Sequence, residues 1–136
     1  MVKRFNPASM VGPFSPISQG VEVEVGERLI YVSGQVGALP DGTVPDDMQA
    51  QTEQAFRNIQ CILKERDMDL EDLIETRTYI IDKDDIPAYR AGRARILGTH
   101  DGGPLTAAAL IIVRGLAQEH WKIEICAVLF IFPMIK

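Results

Sequence analysis

Glu124 sits in the run Lys122-Ile123-Glu124-Ile125-Cys126-Ala127, a single acid set into an apolar strand. Taking an ionised carboxylate out of water is expensive unless it is paired or hydrogen-bonded. Two readings follow. Either this side of the strand stays solvated, with Lys122 on the same face, or the carboxylate is kept there to hold a water and shuttle a proton. Cys126 alternates onto the face of Glu124 and is read as an apolar wall of the same pocket rather than as a thiolate. Ser33-Gly34-Gln35 ends another strand and offers a hydroxyl and a backbone N–H beside a glycine, a group suited to orienting a ligand. No His–Asp pair stands at a spacing that would make Ser33 a nucleophile.

Arg90, Arg93 and Arg95 form a basic group, read either as a solvated helix face or, through Arg93, as a grip on an anionic ligand. His100 and His120 have no partner at metal-ligating spacing. Cys61 and Cys126 are far apart with no Cys-x-x-Cys, so neither a metal nor another cofactor is expected.

These groups must be positioned by strands and helices that the hydropathy pattern reveals. Val21 to Val25 alternates strictly, Gly26-Glu27 suits a tight turn, and Leu29 to Gln35 returns, which predicts a hairpin. Asp46 with Gln49 has the form of a capping box opening a long helix. In that helix Met48, Thr52, Ala55, Phe56, Ile59, Ile62 and Leu63 face a core, and Glu53, Arg57, Lys64 and Glu65 face water. Ile74 to Ile81 is a third strand, and a second helix capped by Asp84 runs to about Leu97, weakened by Gly92 and stopped by Gly98. Thr106 to Gly115 and Lys122 to about Phe132 are the last two strands. The expected fold is α+β, in the order β-β-α-β-α-β-β, with two helices on one face of a mixed sheet. Ala107 to Val113 is apolar on both faces, so self-association through the open sheet face is expected.

At 136 residues the chain is expected to form a single domain spanning 1–136 that can bury a core without disulfide or metal. Its 14 basic residues are dispersed among 19 acidic ones, giving a net charge of −5, which disfavours nucleic acid as a partner and with it a ribonuclease reading. The N-terminus lacks the apolar region of a secretory signal, and the apolar runs fall short of the ~20 residues of a membrane helix. A cytoplasmic protein with no membrane partner is expected.

From about Ser15 to Leu129 the chain resembles the Rid family, the reactive intermediate deaminases also called YjgF-like proteins. The resemblance is carried by Pro16-Ile17-Ser18-Gln19-Gly20, Leu29 to Gln35, Pro40-Asp41-Gly42, Gln51 to Ile59, and the closing strands at Ala109, Ile111, Arg114 to Leu116 and Ile123 to Ile125. It implies a chorismate-mutase-like subunit, a homotrimer, and ligand clefts between neighbouring subunits. In members active on 2-imino and 2-enamino acids, an arginine grips the substrate carboxylate, a glutamate holds the hydrolytic water, and a tyrosine and a serine shape the cleft. The products are a 2-oxo acid and ammonia. Glu124 and Ser33 occupy matching positions here, but Ala108 stands for the arginine, Ile17 for the tyrosine, and Thr106 for the usual proline or alanine. Arg114 is no substitute, since six residues along a strand is about 20 Å.

The resemblance therefore implies a hydrolytic deaminase of an enamine or imine metabolite, catalysed by Glu124. Ser33, Gly34, Ile17, Ala108, Arg93 and Cys126 would surround a non-standard substrate. The alternative is a non-catalytic small-ligand-binding or regulatory protein on the same scaffold.

Overall fold

Met48, Ala55, Phe56, Ile59 and Leu63 recur at helical spacing and are buried, and each large side chain among them contributes about 1.5–3 kcal/mol by leaving water. They form the inner face of α1 (Met48–Lys64). The helix opens one residue later than the expected capping box. Asp47, not Asp46, is the N-cap, its carboxylate accepting from Ala50 N at 3.1 Å. The computed structural model describes residues 2–14, 17–23, 28–98 and 106–131.

The strands are β1 (Val2–Phe5), β2 (Gly20–Val23), β3 (Arg28–Val36), β4 (Leu73–Ile80), β5 (Ala107–Ile112) and β6 (Ile123–Ile131), with α2 (Ile86–Leu97) between β4 and β5. Four of them form one mixed sheet in the order β3-β6-β4-β5, in which only β4 and β5 run parallel. Both helices lie on one face. Ile123, Ile125, Ala127 and Leu129 of β6 alternate into the core beneath them. The other face is open, with Tyr31 76% exposed and Ile111 39% exposed.

The expected first hairpin is not what forms. β2 pairs antiparallel with β1, from Val2↔Val23 to Phe5↔Gly20, while β3 pairs with β6; the expected Gly26-Glu27 turn lies outside the described residues. The element order thus gains a strand at the N-terminus. Gly20 fits this pairing because the Phe5 ring lies over it, and a Cβ there would meet the ring edge at 2.8 Å.

The second helix also differs at its start. Asp82 caps a 3-10 turn at Lys83–Asp85 by accepting from Asp84 N at 2.9 Å, and α2 begins at Ile86 with no side-chain cap. Gly98 ends it as expected, at φ 83°. Gly92 has a packing reason: a Cβ there would stand 2.9 Å from Gln49 O and 3.0 Å from Thr52 Cβ, so the glycine lets α2 cross close to α1. Glu53 does not face water. It is buried where the helices meet, 3.5 Å from both Arg57 and Arg95 and 3.1 Å from the Gln49 amide.

Asp69 fastens the end of α1 to the turn that precedes β4. Its carboxylate accepts from Gln60 Nε2 and Leu70 N and lies 3.2 Å from Lys64 Nζ. The Gln60 hydrogen bond first, then that of Leu70, hold its carboxyl below the ordinary 3.8, against a smaller opposing effect of burial. A carboxyl depressed in the folded state stabilises above its unfolded value and loses that contribution as pH falls through its folded value. Asp69→Asn is therefore expected to lower the melting temperature at pH 7, and the gap from the parent should close as pH falls below about 4. A gap constant across that range would show that the charge is not what matters.

Candidate active site

The sheet register separates the chemistry-bearing residues into two groups. On β6, Glu124 lies opposite Tyr79 of β4, and Tyr79 lies opposite Ile111 of β5; all three belong to the open face. Cys126 shares it, opposite Arg77. On the other side of β6, Val36 of β3 pairs with Glu124, next to a register break between Val32 and Gln35 that contains Ser33 and Gly34. Gly34 is required there: the half-buried Glu124 side chain lies against it, and a Cβ would stand 2.8 Å from Cδ and 2.9 Å from Cγ. Glu124, Gly34, Ser33 and Cys126 are thus neighbours, with Ser33 exposed.

Two residues of α1 hold the strands on either side of Glu124. Buried Gln51 donates from Nε2 to Pro45 O at 2.7 Å and His120 O at 3.1 Å, and its Oε1 accepts from Lys122 N at 2.8 Å, fixing the entry to β6. Asn58 donates to Val36 O at 3.0 Å and Ala38 O at 2.9 Å, fixing the end of β3. Gly37 lets this strand end approach, since a Cβ would stand 2.6 Å from Gln51 Cα. Sequence reasoning does not single out these amides as positioning residues. The available signal is a polar residue, Gln51, on the apolar stripe of a helix.

The second group faces the helices. Ala108 pairs with buried Thr76 and Leu110 with buried Thr78, so both lie on the helix side of β5. There they line a groove of about 270 Å³ with Ile17, Tyr89, Arg90, Arg93, Ala94 and Ala109. Ser18 N donates to Thr106 O at 2.8 Å, which brings Ile17 to this position. Arg93 is only 5% exposed, and its Nη2 donates to Thr106 Oγ1 at 3.2 Å. Tyr89, which sequence reasoning misses, is buried with its hydroxyl 3.3 Å from Thr78 Oγ1.

Ile17, Ala108 and Arg93 share this groove, and Ile17 and Ala108 also line a cavity with Arg77, Tyr79 and Ile111, the open-face neighbours of Cys126 and Glu124. By register the side chains of Ala108 and Glu124 face opposite sides of the sheet. β4 separates their strands by roughly 10 Å, and they are offset by three residues, about 10 Å more.

Burial first, and then the negative charge of Glu124, push the Cys126 thiol above its ordinary value, with Arg77 opposing. The thiol stays protonated at neutral pH, as expected of a wall residue. A maleimide should label exposed Cys61 well before Cys126. Glu124→Gln should speed labelling of Cys126 roughly two- to tenfold by removing the carboxylate charge. No change in rate would contradict their shared environment. Among the described residues no cluster of three or more His, Cys, Asp or Glu side chains could hold a metal, and no helix is long and apolar enough to cross a membrane. His100 lies outside the described residues.

The family model described as endoribonuclease L-PSP matches residues 8–131. The mouse 2-iminobutanoate/2-iminopropanoate deaminase is 32% identical over 123 residues, covering 89% of this chain and 85% of the mouse protein. The Escherichia coli K12 deaminase of the same name is 27% identical over 124 residues, covering 90% and 91%. Among solved structures, the Rid-family protein YyfB of Yersinia pestis, of unknown function, superposes with a TM-score of 0.80 at 25% identity, covering 96% of this chain and 98% of that one. The E. coli YjgF gene product superposes with a TM-score of 0.70 at 28% identity, covering 87% and 90%.

Proposed function

The chain belongs to the Rid (YjgF-like) family, and from that premise we propose that it is a hydrolytic deaminase of an enamine or imine metabolite, with Glu124 as the catalytic residue. Its relatives support hydrolysis of reactive imine and enamine intermediates as the type of reaction. The observation that carries the reading is the Glu124 carboxylate, packed on Gly34 and held between strands fixed by Gln51 and Asn58. Glu124 holds a water against the C=N carbon and takes its proton as the C–O bond forms. It passes that proton to nitrogen to give a carbinolamine, then takes the carbinolamine hydroxyl proton and delivers it to the amino group as the C–N bond breaks, releasing ammonia and leaving a carbonyl. Ser33 and the Gly34 backbone orient the ligand, and Cys126 walls the pocket.

The two groups of site residues meet between copies of the chain in this proposal. Glu124 lies on the open face, where Ile17 and Ala108 line a cavity with its neighbour Tyr79. The open face, with its exposed Tyr31 and Ile111, supplies a surface for assembly, and a homotrimer is the arrangement we infer. Ala108 offers no donor to a substrate carboxylate, so a simple 2-imino acid is a poor substrate. Despite the family description, a net charge of −5 without a basic stripe argues against RNA.

The same missing donor favours the second reading, a cleft that only binds. Ammonia release from a panel of enzymatically generated 2-imino and enamine acids separates the two. Release above the spontaneous rate for at least one member is expected. Spontaneous rates across the whole panel would favour binding alone.

A further inference from the structure

We propose that Arg77, on the open face of the sheet, binds the charged group of an anionic ligand by exchanging its partner Glu75 for it. The substrate class that follows is an imine or enamine acid whose anionic group is separated from the C=N bond by an apolar spacer. This rests on the proposed function for the reaction and the place of Glu124, and deepens it by naming the substrate.

A cavity of about 610 Å³ on this face is lined by Glu75, Arg77 and Tyr79 of β4 together with Ile17, Ala108 and Ile111. A cavity of about 150 Å³ accepts benzene, so this one has room for a chain of several carbons. Among the described lining residues Arg77 is the one cation. Its cross-strand neighbours, Ala109 on β5 and Cys126 on β6, are both small, so neither adjacent strand crowds the guanidinium directly. Its charge is felt at the Cys126 thiol, whose rise it opposes.

Arg77 already has a partner, and the partner is replaceable. Its Nε lies 2.9 Å from Glu75 Oε1, with 58% and 36% of the two side chains exposed. An ion pair so open to water contributes little, and the guanidinium fork carries five donors that a ligand carboxylate can share or take over. The register places the charge. Tyr79 stands opposite Glu124, and along β4 from it Arg77 is about 7 Å away and Glu75 about 13 Å. With the guanidinium drawn toward Glu75, a bound anion lies roughly 7–13 Å along the sheet from the point where Glu124 meets the C=N bond. A carboxylate attached directly to the imine carbon does not span that distance. A chain of several carbons does, and Ala107, Ala108, Ala109 and Ile111 give it apolar walls.

Calorimetric titration of the full chain with hexanoate, hexanamide and propanoate tests this. Hexanoate should bind roughly tenfold tighter than its amide, the worth of a charge-assisted contact, and tighter than propanoate, which has the charge without the spacer. Arg77→Gln should erase the difference between acid and amide. Glu75→Gln, which removes the competing carboxylate, should tighten hexanoate severalfold and leave the amide unchanged. Arg90→Gln, in the groove on the helix side, should leave all three unchanged. Equal affinity for acid and amide, no binding of either, or hexanoate indifferent to Arg77→Gln, not tightened by Glu75→Gln, or weakened by Arg90→Gln instead would overturn the proposal. Glu124→Gln should bind hexanoate as the parent does. Hexanoate held through Arg77 by a protein that releases ammonia from no imine would overturn the hydrolase and leave the anion site standing. Ammonia release by a protein that does not tell hexanoate from its amide would do the reverse.

Discussion

Arginine at position 108 should turn 2-aminoacrylate from a poor substrate of this protein into a good one. In Ala108→Arg, kcat/KM for 2-aminoacrylate generated in situ is expected to rise by about two to four orders of magnitude. Each charge-assisted hydrogen bond to a carboxylate is worth roughly 1.5–3 kcal/mol, and a guanidinium makes two at once. Ammonia release by the variant beside the parent reads the effect. A variant that gains nothing on 2-aminoacrylate would show that the substrate carboxylate does not approach position 108.

The second large effect falls on stability. Gln51→Leu keeps the volume in the core but removes one acceptor and one donor group that between them satisfy Pro45 O, His120 O and Lys122 N. Stranding a buried partner costs about 1–3 kcal/mol, and water can reach the exposed His120 segment, so a loss of about 2–4 kcal/mol is expected. For a domain of this size that is a fall of roughly 8–15 °C in melting temperature. The damage is directional, because Lys122 opens the strand that carries Glu124 two residues later. At a temperature where the variant is folded, kcat should fall while maleimide still reaches Cys61 first. A melting temperature within a few degrees of the parent would mean that the three contacts are replaced by water at no cost.

Elements with strong local periodicity are legible in the sequence. The stripe of α1, apart from Ile62, which is exposed rather than in the core, the alternation in β4 and the apolar face of β6 each announce themselves within one segment, and Gly98 marks a helix end by its own backbone preference. What escapes the sequence depends on distant partners. β1 is four residues with no alternation long enough to notice, and its pairing with β2 rests on Phe5 lying over Gly20. Glu53 reads as a surface acid until Arg95 of the second helix arrives beside it.

The site divides in the same way. Glu124 is visible because a charge in an apolar strand demands a reason, and Cys126 follows by alternation. The separation of Ala108 from Glu124 is not visible. It depends on the parallel register of β4 and β5, which sets Ala108 against Thr76 and so turns it toward the helices. The partnership of Arg93 with Thr106 is likewise tertiary, although both residues stand out in sequence, one as a basic residue on a helix and the other as a departure from the family pattern.

The central claim is that this cleft performs hydrolysis through Glu124. The measurement that tests it most directly is ammonia release by Glu124→Gln beside the parent, on whichever imine the parent turns over fastest. The substitution keeps the shape packed against Gly34 and removes the basic oxygen, so the melting temperature should hold while turnover falls by about two to four orders of magnitude toward the spontaneous rate. Unchanged ammonia release from the folded variant would contradict the claim.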